Sequence, residues 1–335
     1  MRFAALATLV LALSAAAQEA APVNCLNEPR NLAYNDFYNA KKAADAAGQQ
    51  RAYELAKAFV ENWTSCSDQY TEAAKRFIGL YENAMERYNL AQNAFGAKPD
   101  RAKAFEIGRK ILATDPDNLP ALLALVYAGQ SEATAKNETF AAEALGDAKK
   151  AIALIEAGKD SASWSPFKNR EEALSFVTLY AANLSLVAKN PAAAVPLYVK
   201  VASIAGPPGR DPSMFLRLAA AYQQSQLDPM QRDYNEKFGG KPVSAEGKWS
   251  IDQVDQVIDR IIDAYARAIS LAGDNARYAE AKTAWTDALK TYYKFRFGDS
   301  MPGFDDYLAN TAARSLPEPY VPKPYTPESA APKRR

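Results

Sequence analysis

Histidine is absent from all 335 residues, which closes most routes to side-chain catalysis. Ser-His-Asp and Cys-His nucleophile systems need an imidazole base, and most protein zinc sites use at least one. Ser165-Pro166-Phe167-Lys168 has the Ser-x-x-Lys spacing of a lysine-activated nucleophile, but the Lys-Thr-Gly and Ser-Asp-Asn elements that accompany it in such enzymes are missing. Gly206-Pro207-Pro208-Gly209-Arg210 lacks the Gly-Lys-Ser/Thr ending of a phosphate-binding loop and reads as a turn. Asp115-Pro116-Asp117-Asn118 is too short for a calcium loop. The acidic pairs Glu171-Glu172 and Asp305-Asp306 read as solvated helix faces, because glycosidase chemistry needs two carboxylates at a defined separation across a cleft. The sequence therefore predicts no catalytic residue, no metal and no cofactor: a protein that is not an enzyme.

The remaining reactive residues are Cys25 and Cys66. Their meaning depends on compartment. Met1-Arg2 is a short positive start, residues 3–13 are apolar, and Ala15-Ala16-Ala17 offers small residues for cleavage before Gln18. This is signal-peptide logic, and it predicts export to the periplasm or cell envelope with residues 1–17 removed. In an oxidising compartment two cysteines read as one disulfide, Cys25 to Cys66, with two free thiols as the alternative. Nothing after residue 17 is apolar for long enough to span a bilayer. With 40 basic and 39 acidic side chains, loss of Arg2 leaves the mature chain formally neutral. That balance argues against nucleic acid as a partner, because phosphate binding rests on excess Lys and Arg.

Helices must position whatever acts. Ala, Leu, Glu, Lys, Gln and Tyr dominate, and apolar residues recur at helical spacing. Helices are expected at 32–46, 50–63, 68–94, 100–113, 119–131, 138–156, 170–188, 191–204, 212–224, 251–271, 276–297 and 304–312. Most fall into pairs joined by short turns. Residues 18–99 form N-terminal helical pairs and 100–312 a repeat region, with an insertion at 226–250 that carries Phe238-Gly239-Gly240-Lys241-Pro242. Residues 313–335 hold six prolines and end in Lys333-Arg334-Arg335, a composition that predicts an extended, disordered tail.

A frame of small residues recurs through the repeat region. Ala144, Ala148, Ala151 and Leu154 share it with Ala194, Tyr198, Val201 and Ile204, and with Ile261, Tyr265, Ala268 and Leu271. A fourth segment runs from Ala104 to Pro116, with Gly108 in a bulky slot and Ile111 in a small one. Phe215, Leu218, Ala219 and Tyr222 give the aromatic–Leu–small–Tyr order of a first helix. These residues resemble the tetratricopeptide repeat (TPR) family, chiefly between residues 100 and 271, as found in exported bacterial proteins. The alternative is an irregular helical bundle. The resemblance implies an all-α solenoid of antiparallel helix pairs whose first helices line a groove for a peptide or protein partner. Here those helices would be 119–131, 170–188 and 212–224, with Tyr127, Phe176, Tyr180, Asn183, Arg217 and Gln224 facing the groove. The Lys and Asn carboxylate clamp of some family members is not recognisable there. The expected function is a non-enzymatic interaction scaffold of the cell envelope. A glycan- or nutrient-binding envelope protein on the same scaffold is the alternative, because 18 Tyr and 4 Trp can stack on sugars.

Overall fold

The computed structural model describes residues 24–326, so the expected signal segment at 1–17 and the last nine residues lie outside it. Every regular element among the described residues is helical, and no helix among them is long and apolar enough to cross a membrane. Contacts divide the chain into two compact units at Met85 and Glu86.

The first unit contains α1 (Glu28–Ala40), α2 (Ala46–Asn62) and the start of α3 (Gln69–Phe95). Asn27 opens α1 by accepting from the Arg30 amide at 2.9 Å, and Pro29 sits in the first turn, where its missing N–H costs nothing. That cap starts α1 four residues before the apolar periodicity becomes visible at Leu32. Phe37, Ala56, Phe59 and Ala74 form the core. Cys25 and Cys66 are joined by a disulfide. The bridge holds the carbonyl of Cys25 over a buried cation, Arg30, which is 2% exposed. Arg30 donates to Cys25 O at 2.9 Å, to Asp68 Oδ1 at 2.8 Å and to Thr71 Oγ1 at 3.0 Å. Its guanidinium also lies 5.0 Å from the Phe59 ring centroid. A buried charge persists only when so compensated. The Arg30 hydrogen bond holds the Asp68 carboxyl below its usual range.

The second unit runs on through α4 (Arg101–Thr114), α5 (Leu119–Thr134), α6 (Ala141–Glu156), α7 (Arg170–Val187), α8 (Pro191–Ser203) and α9 (Pro212–Tyr222). Each of these packs against the next, and α5 also packs against α7, as in an α-solenoid. Asp100, Asn118, Asn169, Asn190 and Asp211 cap the starts of α4, α5, α7, α8 and α9. Proline stands in the first turn of α5, α8 and α9.

The small-residue frame is core. Ala144, Ala148, Ala151, Ala194, Tyr198, Val201, Ile261 and Ala268 are buried completely. Its last slot is looser, with Leu271 41% exposed. Gly108 is explained by its neighbour: a Cβ there would sit 2.7 Å from both methyls of Leu125, which fills the space a bulky residue would take. Gly129 allows a closer approach still, since an added Cβ would lie 2.2 Å from Ala144 Cβ.

Beyond α9 the structure departs from the expected insertion. One π-helical turn, Gln223–Leu227, leads directly into α10 (Asp228–Phe238), so only residues 239–244 are loop before α11 (Ala245–Ala272). Helices α12 (Ala279–Phe297) and α13 (Phe304–Ala309) come next, and both pack on α11. The expectation of a disordered tail from 313 is corrected for residues 314–326, which run as an irregular strap along α11. Arg267 donates to the Arg314 carbonyl at 2.8 Å and Arg260 to that of Glu318 at 2.8 Å. Tyr320 is buried and its hydroxyl donates to Gln253 at 2.8 Å. Proline content describes the backbone's extension but not the aromatic side chain that anchors it.

Candidate functional site

Helices α5, α7 and α9 converge on a cavity of about 370 Å³. From α5 come Tyr127, Gln130, Ser131 and Thr134, spaced i, i+3, i+4, i+7 and therefore on one stripe. Helix α7 contributes Leu179, Tyr180 and Asn183; α9 contributes Ser213, Met214 and Arg217, with its cap Asp211 at the edge. The sequence-predicted residues Tyr127, Tyr180, Asn183 and Arg217 are thus brought together.

Asn183 organises the floor. It is buried, and its Oδ1 accepts from the hydroxyl of Tyr198 at 2.8 Å and from Arg217 Nη1 at 2.8 Å. One amide oxygen thereby ties α7 to α8 and α9. Tyr198 is fully buried, and desolvation pushes its phenol well above the usual range despite the nearby Arg217. It stays a neutral donor. Arg217 is exposed, and no ion pair holds it among the described residues, which leaves its other N–H groups for a ligand.

Tyr127 and Tyr180 meet edge to face with centroids 6.4 Å apart, and Phe95 meets Tyr127 likewise at 5.9 Å. Burial pushes the Tyr180 phenol up to about 12, with Tyr127 adding to the shift. Both rings present hydroxyls on apolar bodies, the kind of side chain that anchors peptide interfaces. Asp211 and Arg217 supply one charge of each sign. Gln130 donates to Thr134 Oγ1 at 3.0 Å, while its own Oε1 is buried without a donor.

Two predicted residues fall elsewhere. Phe176 lies one turn back along α7, stacked on Phe167 at 5.7 Å and touching Tyr180 at 5.9 Å. Gln224 sits in the π-helical turn and does not line the cavity. A π turn is wider than a 3.6-residue turn, so a 3.6-residue frame misplaces the side chains within it. Conversely, Gln130, Ser131 and Thr134 were reachable from Tyr127 by the same i+3, i+4, i+7 rule. Asp211 was reachable as the cap before Pro212.

The other sequence motifs assemble no catalytic arrangement among the described residues. Ser165 and Lys168 lie in the α6–α7 connection, and no hydrogen bond joins them. Gly206 to Arg210 form the turn between α8 and α9. Among the described residues no three His, Cys, Asp or Glu side chains cluster as metal ligands would. Comparison with protein families, curated proteins and solved structures finds no match to this chain.

Proposed function

We propose that this chain is a TPR-like, exported scaffold of the bacterial cell envelope that binds an extended peptide segment of a protein partner, without catalysing a reaction. One observation carries the reading: Tyr127, Tyr180, Asn183 and Arg217, from three alternating helices, line one cavity. Two phenols give apolar anchoring with hydroxyl donors. Arg217 offers N–H groups to backbone carbonyls, and Asp211 can accept from backbone amides. That set suits a polypeptide backbone with one or two bulky side chains. The disulfide fits an oxidising compartment.

The test uses the mature chain as bait in envelope extract, beside Arg217→Glu and Tyr180→Ala. The reading expects a defined protein retained by the wild type and lost by both variants, and a short fragment of that protein that competes. Capture unaffected by both substitutions would overturn the assigned cavity. Retention on polysaccharide columns with no protein recovered would transfer the protein to the glycan-binding class.

A further inference from the structure

A second cavity, of about 330 Å³, lies between α10, the start of α11 and the strap. We propose that it binds a small amphipathic anion, a molecule with a ring or hydrocarbon body and one carboxylate or sulfonate head.

The walls are aromatic and come from three separate segments: Tyr234 and Phe238 from α10, Trp249 from α11, and Tyr320 from the strap. Neighbours hold these rings in place. Tyr234 and Phe238 pack with centroids 5.4 Å apart, and Trp249 meets Tyr325 edge to face at 5.8 Å. The hydroxyl of Tyr320 is fixed on Gln253, and its ring lies 5.6 Å from the guanidinium of Arg260. A preformed apolar space of this size is the common form of a small-molecule site.

The charges select the head group. Lys237 and Lys323 line the cavity, and neither makes an ion pair among the described residues. Asp233, the one acid in the lining, stands four residues before Lys237 and is not bridged to it. Two ammonium groups against one carboxylate leave an excess positive charge beside an apolar wall, which an anionic head offsets.

The strap decides against a polypeptide here. Gln226 Nε2 donates to the Tyr320 carbonyl at 3.3 Å, and Arg260 donates to that of Glu318. The donors that would hold a visiting backbone already hold the chain's own. The space that stays open has the volume of a small molecule. Helix α10 carries no fully buried residue, and the space between its Tyr234 and Phe238 and the strap is open to a ligand.

The experiment titrates the full mature chain with anilinonaphthalene sulfonate, which is anionic, and with the uncharged N-phenyl-1-naphthylamine. One saturable sulfonate site is expected, with energy transfer from Trp249. Lys237→Gln together with Lys323→Gln should weaken the sulfonate about tenfold and change the neutral probe by less than about twofold. Both lysines are exposed, so this variant keeps the fold, which circular dichroism checks. Trp249→Phe should abolish most of the energy transfer. Equal loss of both probes, no effect of the lysine changes, unsaturable binding, or transfer that persists in Trp249→Phe would each overturn the proposal.

Discussion

Replacing Asp147 with Asn should stabilise the second unit at neutral pH and do nothing at pH 4. Asp147 lies on α6, and its Oδ2 is buried without a hydrogen-bond donor. The cations beside it are engaged elsewhere: Arg109 with Glu143 at 2.6 Å and Lys150 with Asp117 at 2.9 Å. Burial first, and the Glu143 charge second, push the carboxyl up to about 6 from 3.8. The folded protein therefore holds this proton more tightly than the unfolded chain does. Its contribution to stability is full below about pH 4 and is lost as pH rises through about 6. A shift of about two units corresponds to roughly 3 kcal/mol, and partial solvent access reduces that to about 1–2 kcal/mol. The assay is urea unfolding of wild type and Asp147→Asn at half-unit steps from pH 4 to pH 8. The difference in unfolding free energy should rise from near zero at pH 4 to about 1–2 kcal/mol in favour of the variant above pH 7. A pH-independent difference, or a variant less stable at pH 7.5, would show that burial does not destabilise the Asp147 carboxylate.

Three further outcomes rest on the packing. Replacing Cys25 and Cys66 with Ser should destabilise the first unit by about 2–4 kcal/mol, since the bridge closes a loop with a sequence separation of 41; thermal unfolding beside the reduced wild type measures it. Gly129→Ala should cost about 1–3 kcal/mol, because the added methyl would meet Ala144 Cβ of α6; Gly146→Ala, where nothing lies within 4 Å, is the control and should be neutral or stabilising in the same denaturation assay. Asn183→Leu strands the buried Tyr198 hydroxyl and frees Arg217, at a cost of about 1–3 kcal/mol; the Tyr198→Phe background should recover part of that loss in a double-mutant cycle.

The features legible in the sequence are the local ones. The starts of α8 and α9 were readable because Asn190-Pro191 and Asp211-Pro212 cap and stop the chain within two residues. The small-residue frame was readable because Ala at 144, 148 and 151 repeats at helical spacing against its neighbours. Asn183 and Arg217 could be assigned to one face for the same reason. The features that stayed hidden depend on distant partners. Arg30 looks like any surface arginine until Asp68, Thr71 and Phe59 are folded around it. The apolar stripe of α10, Met230, Tyr234 and Phe238, is only half-buried, and the glycines at 239 and 240 masked the helix as loop. The π turn before it moved Gln224 off the predicted face. Tyr320 anchors the strap through Gln253, a partner 67 residues away, which no proline count reveals.

If the cavity between α5, α7 and α9 receives a partner's peptide segment, a crosslinker on its rim must reach that segment. The experiment places a photo-crosslinking benzoylphenylalanine at Thr134, exposed on the cavity rim, and separately at Lys149, exposed on α6. Irradiation in envelope extract should join position 134 to one short segment of a defined protein, leave position 149 unlinked, and lose the adduct on Arg217→Glu. Crosslinks of equal yield at both positions, or a partner bound with no adduct at 134, would exclude this cavity as the binding site.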